Sequence, residues 1–267
     1  MKDCLLGSNV LSLFDGMSCG RIALEKAGIN IDKYYASEID KYSIKVGNAN
    51  YPDIIQLGDV TGLTWTGPAI DLLIGGSPCQ GFSFAGKHLN FEDPRSRLFF
   101  EFVRLMDKTK PKWFLLENVR MKEESKDIIS RYLGVQPVMI NSSLVSAQNR
   151  KRLYWTNIPF TMPEDRGILL KDIIEDGLVD RGKAHCLDAN YFKGGNLKSY
   201  FEKSRRQLVF SNKDYLEWRK LTPLECERLQ TVPEGYTAHV SNTQRYKMLG
   251  NGWTVDVIAH IFKNLGD

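Results

Sequence analysis

Short apolar runs alternate with helix-spaced segments over the first half of the chain. Residues 10–14, Val-Leu-Ser-Leu-Phe, stop at Asp15-Gly16 and read as a strand entering a turn. Residues 22–27 suit a helix ended by Gly28, 33–37 a second strand and 41–50 a second helix. A third strand at 54–57 runs into Gly58-Asp59, and a fourth at 71–74 ends in Gly75-Gly76. Leu98, Phe99, Phe102, Val103, Leu105 and Met106 recur at helical spacing, and 113–116 form a fifth strand ending at Glu117-Asn118. Such alternation predicts an α/β fold, a doubly wound, mostly parallel Rossmann-like sheet with helices on both faces. Between about 158 and 216 the alternation is lost, which predicts a small irregular second lobe. Val255, Ile258, Ile261, Phe262 and Leu265 then share one face of a closing helix. The expected division is 1–157 plus 245–267 as the main domain and 158–244 as the lobe with its supporting segment.

Open sheets of this kind bind ligands at the carboxyl ends of their strands. Asp15, Glu38, Asp59, Cys79 and Glu117 all fall at or just beyond such ends. The turn Phe14-Asp15-Gly16-Met17-Ser18-Cys19-Gly20 is not a G-x-G-x-x-G, so it does not suggest a pyrophosphate cradle. Glu38 stands where an acid accepts hydrogen bonds from ribose hydroxyls, and Asp59 where one could reach an adenine amino group. Singly, each is more often a helix cap or a solvated turn residue. Three at successive strand ends favour an adenosine site.

Cys79 lies in the loop Gly75-Gly76-Ser77-Pro78-Cys79-Gln80-Gly81-Phe82-Ser83. A lone cysteine is usually a small buried hydrophobe, the reading kept for Cys4 and Cys226. A thiol presented by a glycine-rich loop after a strand is instead a candidate nucleophile for an electron-poor ring carbon. Arg150 and Arg152 are candidates to supply the positive charge that favours its thiolate. They sit at alternate positions of an extended segment, so they share a side and could grip a phosphate or a base carbonyl. Glu117 is a candidate acid.

The net charge of +4 on 267 residues does not itself point to nucleic acid. Its distribution is more telling, because 183–206 carries six basic residues against two acidic ones. Five cysteines without a C-x-x-C pair, and four scattered histidines, suggest neither a disulfide framework nor a metal site. No apolar run resembles a secretory signal or reaches the length of a membrane span, so a soluble, cytoplasmic protein is expected.

Phe14-x-Gly16, Pro78-Cys79-Gln80, Glu117-Asn118-Val119, Gln148-x-Arg150-x-Arg152 and Gly250-Asn251 occur in an order that resembles the cytosine-5 DNA methyltransferases. The resemblance covers about residues 8–157 and 217–264. Within it, Ser12–Gly16, Tyr35–Glu38, Arg97–Phe102 and Gly252–Val255 look most like the catalytic domain of the mammalian de novo enzymes. The likeness is to a stand-alone microbial or viral version, with Asn251 where that branch has arginine. It implies S-adenosyl-L-methionine as cofactor and double-stranded DNA as substrate. Cys79 would add to cytosine C6, Glu117 would act at N3, Arg152 would hold the base carbonyl, and Arg150 would hold the catalytic loop and a phosphate. Phe14, Asp15, Gly16, Met17, Cys19, Gly20, Glu38, Ile39, Asp59, Val60, Gly76, Pro78, Leu98, Asn251, Gly252 and Trp253 would form the cofactor site. Arg219, Thr222, Pro223, Glu225, Arg228 and Gln230 resemble the segment that supports the recognition lobe.

A tRNA-modifying branch carries a Cys-Phe-Thr tripeptide that this chain lacks. A non-catalytic accessory relative would have lost catalytic residues that are all present here. Monomer and homodimer both remain open, as does pairing with a restriction enzyme.

Overall fold

The computed structural model describes residues 7–77 and 94–265, and the statements that follow concern those. The main sheet is built from β1 (Ser8–Leu13), β2 (Ile31–Ser37), β3 (Ile55–Gln56), β4 (Leu72–Gly75), β5 (Trp113–Val119), β6 (Val138–Asn141) and β7 (Lys151–Thr156). Its order is β3-β2-β1-β4-β5-β7-β6. All neighbours pair in parallel except β7, which is antiparallel to both β5 and β6. The chain leaves β1 in opposite directions to reach β2 and β4, so the switch point lies at the carboxyl end of β1.

The sheet divides the core in two, with the period-two alternation that a strand buried on both faces requires. Val10, Leu72, Ile74, Leu115 and Tyr154 belong to one apolar cluster, with α1 (Cys19–Lys26) and α8 (Val255–Phe262). Leu11, Leu13, Leu73, Phe114, Leu116 and Trp155 belong to the other, with α3 (Pro94–Thr109) and α4 (Glu123–Leu133). The remaining helix of the first half is α2 (Lys41–Asn50), whose N-cap Asp40 accepts hydrogen bonds from the Tyr42 and Ser43 amides.

The five sequence-read strands and four helices all have counterparts, with shifted ends. Left unassigned were α4 and β6, and 151–156 was read only as extended. The pattern hides β6 because Val138 and Met139 are exposed.

The later region is irregular, as its sequence implies. It holds α5 (Leu197–Lys203), a two-stranded hairpin of β8 (Leu208–Phe210) and β9 (Trp218–Lys220), then α6 (Pro223–Leu229) and α7 (Asn242–Asn251). Tyr200, Leu208 and Phe210 form a small cluster of their own. Leu170, Ile173, Ala184, Leu187 and Tyr191 instead join the same apolar cluster as the sheet. The supporting segment is tied by Arg219, whose guanidinium meets Asp176 and the fully buried Glu225. Glu225 and Thr222 also form a reciprocal cap on α6, which has Pro223 in its first turn.

Gly20 marks the closest approach of α1 to the sheet. A Cβ there would lie 2.3 Å from Ile74 Cδ1 and 2.9 Å from Tyr34 Oη. Gly20→Ala should therefore destabilise the fold by about 1–3 kcal/mol, as overpacking does. Ile74→Val deletes the clashing methyl group, so the double variant should recover part of the loss. Urea denaturation of the four proteins measures both effects.

Candidate active site

A cavity of about 630 Å³ opens at the carboxyl ends of β1, β2, β4 and β5, across the switch point. That volume lies within the range of sites that enclose a small organic ligand. Phe14, Asp15, Gly16, Met17, Cys19, Glu38, Ile39, Gly76, Glu117, Arg150, Arg152, Asn251, Gly252 and Trp253 all line it.

The turn after β1 is held in an uncommon shape. Phe14 and Ser18, neither of them glycine, have φ of 56° and 64°, which costs of order 1 kcal/mol each. Two acids hold this geometry. One Glu38 carboxylate oxygen accepts from the Gly16 amide at 2.7 Å, and the other accepts from the Ile39 and Asp40 amides at 2.8 Å each. Asp15 accepts from the Ser18 hydroxyl at 2.6 Å and the Tyr34 hydroxyl at 2.7 Å. Asp15 was expected to face a ligand; its carboxylate is turned toward protein hydroxyls. Burial pushes its pKa up to about 6, against the lowering effect of those hydrogen bonds. Burial likewise pushes the Cys19 thiol up to about 12, so Cys19 is a neutral wall group.

The opposite wall is charged. Glu117, two residues before the end of β5, is only 8% exposed and meets Arg152 Nε at 3.1 Å through Oε1. Burial raises the Glu117 pKa, opposed by the charges of Arg152 and Arg150 and by a hydrogen bond with Trp253. A carboxyl group whose pKa is raised by burial holds its proton more readily than an exposed one and is suited to donate at a ring nitrogen. Gly76 leaves the space in front of this pair open. A Cβ there would lie 2.9 Å from Trp253 Nε1 and 3.4 Å from Glu117 Oε2.

Arg150 and Arg152 reach the same wall by different means. Arg150, 3% exposed, donates to the Leu187, Gly250 and Gly252 carbonyls at 2.8, 3.2 and 2.8 Å. With a further contact from Nη1 to Cys186 Sγ at 3.5 Å, both terminal nitrogens are engaged within the protein, which corrects the expectation of a phosphate contact: Arg150 fastens main chain. Gln148 is structural too. It donates to Leu229 O at 2.7 Å and to Gln230 Oε1 at 2.9 Å, and it is fully buried. Of the three residues in the Gln-x-Arg-x-Arg run, Arg152 alone pairs with Glu117.

Four expected residues are absent from the cavity wall. Gly20 lies in α1, buried against Ile74 and Tyr34. Asp59 is exposed and caps a 3-10 turn through the Thr61 amide. Val60 is buried among apolar side chains, and Leu98 packs against that cluster. Pro78 and Cys79 lie outside the described residues. The approach to them is nevertheless anchored, because Asn118 Nδ2 donates to Ser77 O at 3.3 Å and to Ser77 Oγ at 3.2 Å. Sequence reading missed Asp40, Ser43, Ser77, Gln244, Lys247 and Met248 as wall residues. Gln244 and Met248 stand one turn apart on α7, the helix that ends at Asn251, so helical spacing back from Asn251 would have found them.

The cavity suits an adenosine-bearing sulfonium. It offers the apolar surfaces of Phe14, Ile39 and Trp253, a strand-end acid in Glu38, and backbone left bare at Gly76 and Gly252. A Cβ on Gly252 would press Met17, Met248 and Cys19 at 3.0–3.2 Å.

The architecture is that of enzymes that hold an adenosine-bearing cofactor across the switch point of a doubly wound sheet. The family described as C-5 cytosine-specific DNA methylase matches residues 8–160 and 158–267, and the chain belongs to it. It is a DNA cytosine-5 methyltransferase that uses S-adenosyl-L-methionine. Among its relatives is Type II methyltransferase M1.ScrFI of Lactococcus lactis subsp. cremoris, 30% identical over 96% of this chain and 77% of that one. Type II methyltransferase M.HhaI of Haemophilus parahaemolyticus is 28% identical over 98% of this chain and 95% of its own length. In fold, the chain is similar to a DNMT2 variant from Spodoptera frugiperda. The TM-score is 0.73 at 20% identity, covering 98% of this chain and 100% of the other. It is also similar to a prophage-encoded modification methyltransferase from E. coli, with a TM-score of 0.70 at 22% identity over 97% and 98% of the two chains. Among the described residues no group of side chains is arranged to hold a metal ion, and no helix is long and apolar enough to cross a membrane.

Asp15 gives the fold a pH dependence of known sign. Its folded pKa, about 6, lies above the ordinary 3.8. Its contribution to stability is therefore full at low pH and is lost as pH rises through 6. Between about pH 4.5 and about pH 7.5 the loss should be about 2 kcal/mol. Asp15→Asn should remove that component, so the stability difference between wild type and variant should change by this amount between the two pH values in urea denaturation.

Proposed function

We propose that Cys79 is the nucleophile, that Glu117 and Arg152 hold and polarise the target cytosine, and that residues 158–244 read the flanking DNA. The observation that carries this reading is the buried Glu117–Arg152 pair, facing a cavity kept open by Gly76 three residues before Cys79. Stacked bases cannot reach such a wall, so the cytosine must be flipped out of the duplex at a cost of a few kcal/mol.

The Cys79 thiolate forms a bond to C6, and the displaced π electrons move toward C5 and N3. Glu117, its pKa raised by burial, donates a hydrogen bond or a proton at N3 and so accommodates the charge that develops there. Arg152 donates to the base carbonyl with its terminal nitrogens while Nε keeps Glu117 in place. When bound, S-adenosyl-L-methionine supplies an electrophilic methyl group to C5. Water takes the C5 proton, its electron pair re-forms the C5–C6 double bond as the Cys79 sulfur leaves as thiolate, and any proton placed at N3 returns to Glu117. Glu38, Phe14, Ile39, Asn251 and Trp253 would hold the cofactor.

The lobe supplies the cations for the DNA backbone. Lys193, Lys198 and Lys203 are exposed. Lys183 is directed inward, to the Ser143 and Ser146 carbonyls, and is not among them. Exposed cations of this kind grip phosphates and set register without reading sequence.

Cys79→Ser should abolish methyl transfer while the protein still binds duplex DNA, and Glu117→Gln should lower kcat about 100-fold or more with the cofactor KM little changed. Tritium transfer to duplex DNA measures both. DNA carrying 5-fluorocytosine at the target should trap the wild type covalently, because fluorine cannot leave as a proton. A fully active Cys79→Ser would overturn the covalent route. Bisulfite sequencing of DNA from expressing cells would then define the recognition site.

A further inference from the structure

We propose that Cys186, a lobe residue, is a positioning residue for the catalytic arginines, fixing the Arg152 guanidinium where it meets the base. The inference rests on the reading of Glu117 and Arg152 given above. Three sets of contacts lead to it.

The first is the thiol itself. Cys186 Sγ lies 3.5 Å from Arg150 Nη1 and 3.9 Å from Arg152 Nη2, and 3.6 Å from the Leu187 carbonyl. The thiol hydrogen can go to that carbonyl, which leaves the sulfur lone pairs toward the two guanidinium groups. Sulfur is a weak acceptor, but the donors are charged and desolvated. Two like charges converge here, and the charge of Arg152 is among the causes that lower the Arg150 pKa.

The second is how Arg152 is held. Its Nε is fixed by Glu117 and its Nη1 donates to the Lys151 carbonyl at 2.9 Å. Among the described residues, Cys186 is the partner found for Nη2. Without it the guanidinium is held through Nε and Nη1 alone, and Nη2 loses its protein partner.

The third is how rigidly Cys186 is held. Ala184 N donates to Ala147 O at 2.7 Å, and Asn149 N to Ala184 O at 2.9 Å. The stretch that bears Cys186 is thus stitched to the stretch that leads into Arg150 and Arg152. Just beyond, α7 closes on the same stretch. A Cβ on Gly250 would lie 2.3 Å from the Asp188 carbonyl carbon and oxygen. Cys186 therefore cannot move without the segment that carries the arginines.

The test compares Cys186→Ala, Cys186→Val and Cys186→Ser with wild type. The assay is tritium transfer to unmethylated plasmid DNA at saturating DNA, with kcat and the cofactor KM determined separately and the thermal midpoint recorded. Ala and Val should lower kcat roughly fivefold, the effect of losing one weak charge-assisted hydrogen bond. The cofactor KM and the midpoint should hold, and Ser should regain most of the loss. Wild-type kcat in Ala and Val would overturn the inference. So would a fall in all three variants that tracks a lowered midpoint, since that is packing alone. Glu117→Gln and Arg152→Ala are measured alongside. If they remain active, the reading of the site fails; if they are inactive while Cys186→Ala is not, the inference alone fails.

Discussion

A carboxylate and a guanidinium held together out of water at the end of β5 constrain the rest of the molecule. Removing such charges from solvent is costly, and the pair is stable only if its remaining hydrogen-bonding groups are met by protein. Glu117 and Arg152 meet this demand by drawing in elements distant in sequence. β7 runs antiparallel to β5, the exception in an otherwise parallel sheet, and this pairs Val119 with Arg152 and Asn118 with Leu153. That reversal delivers the arginine to the strand end where the acid already stands. Arg150, two residues earlier, carries the same constraint outward by fastening the main chain at Leu187, Gly250 and Gly252.

The two walls of the cavity are built on different principles. On the β1–β2 side the acids accept from amides and hydroxyls and so hold a loop that contains two non-glycine residues at positive φ. On the β5–β7 side the acid and the guanidinium are engaged with each other and both line the cavity. A rigid wall suits a ligand that must be held in one orientation. A polarised wall suits one whose charge changes during reaction. Trp253 touches both, since Cys19 lies 4.0 Å from its carbonyl and its ring borders Gly76 opposite Glu117.

Much of this was legible in the sequence, because strands buried on both faces and amphipathic helices leave regular apolar patterns. The strand ends then located Asp15, Glu38 and Glu117 before any geometry was known. Where the reading erred, the error has a physical cause. Asp15 does line the cavity, though sequence does not say that the Tyr34 and Ser18 hydroxyls will meet its carboxylate. Asp59 does what an isolated acid before a turn most often does and caps it. Gly20 was assigned to the ligand because glycine near a strand–helix turn permits close approach. The approaching group is Ile74. Arg150 and Arg152 share a side of one extended segment, yet Arg150 is met by residues 186–187 and 250–252 while Arg152 pairs with Glu117, and no local pattern could distinguish the two.

The same limit explains why the second lobe was harder to read. Its backbone is irregular, and much of its apolar surface joins the sheet's own cluster in place of forming a separate core. A segment stabilised in this way has no periodicity to detect, since each residue answers to a different neighbour. The consequence is mechanical as well as descriptive. A lobe with its own core could rock as a body and leave the active site untouched. Here residues 184–188 lie between the stretch that leads to Arg152 and the glycine end of α7, and they hydrogen-bond to the former. Hydrogen-bonded main chain therefore links this part of the lobe to the segment that carries the guanidinium groups. On the proposed reading, recognising DNA and holding the base would be coupled, because the lobe's own cluster is confined to Tyr200, Leu208, Phe210 and the side chains packed on them, while much of the rest packs with the sheet.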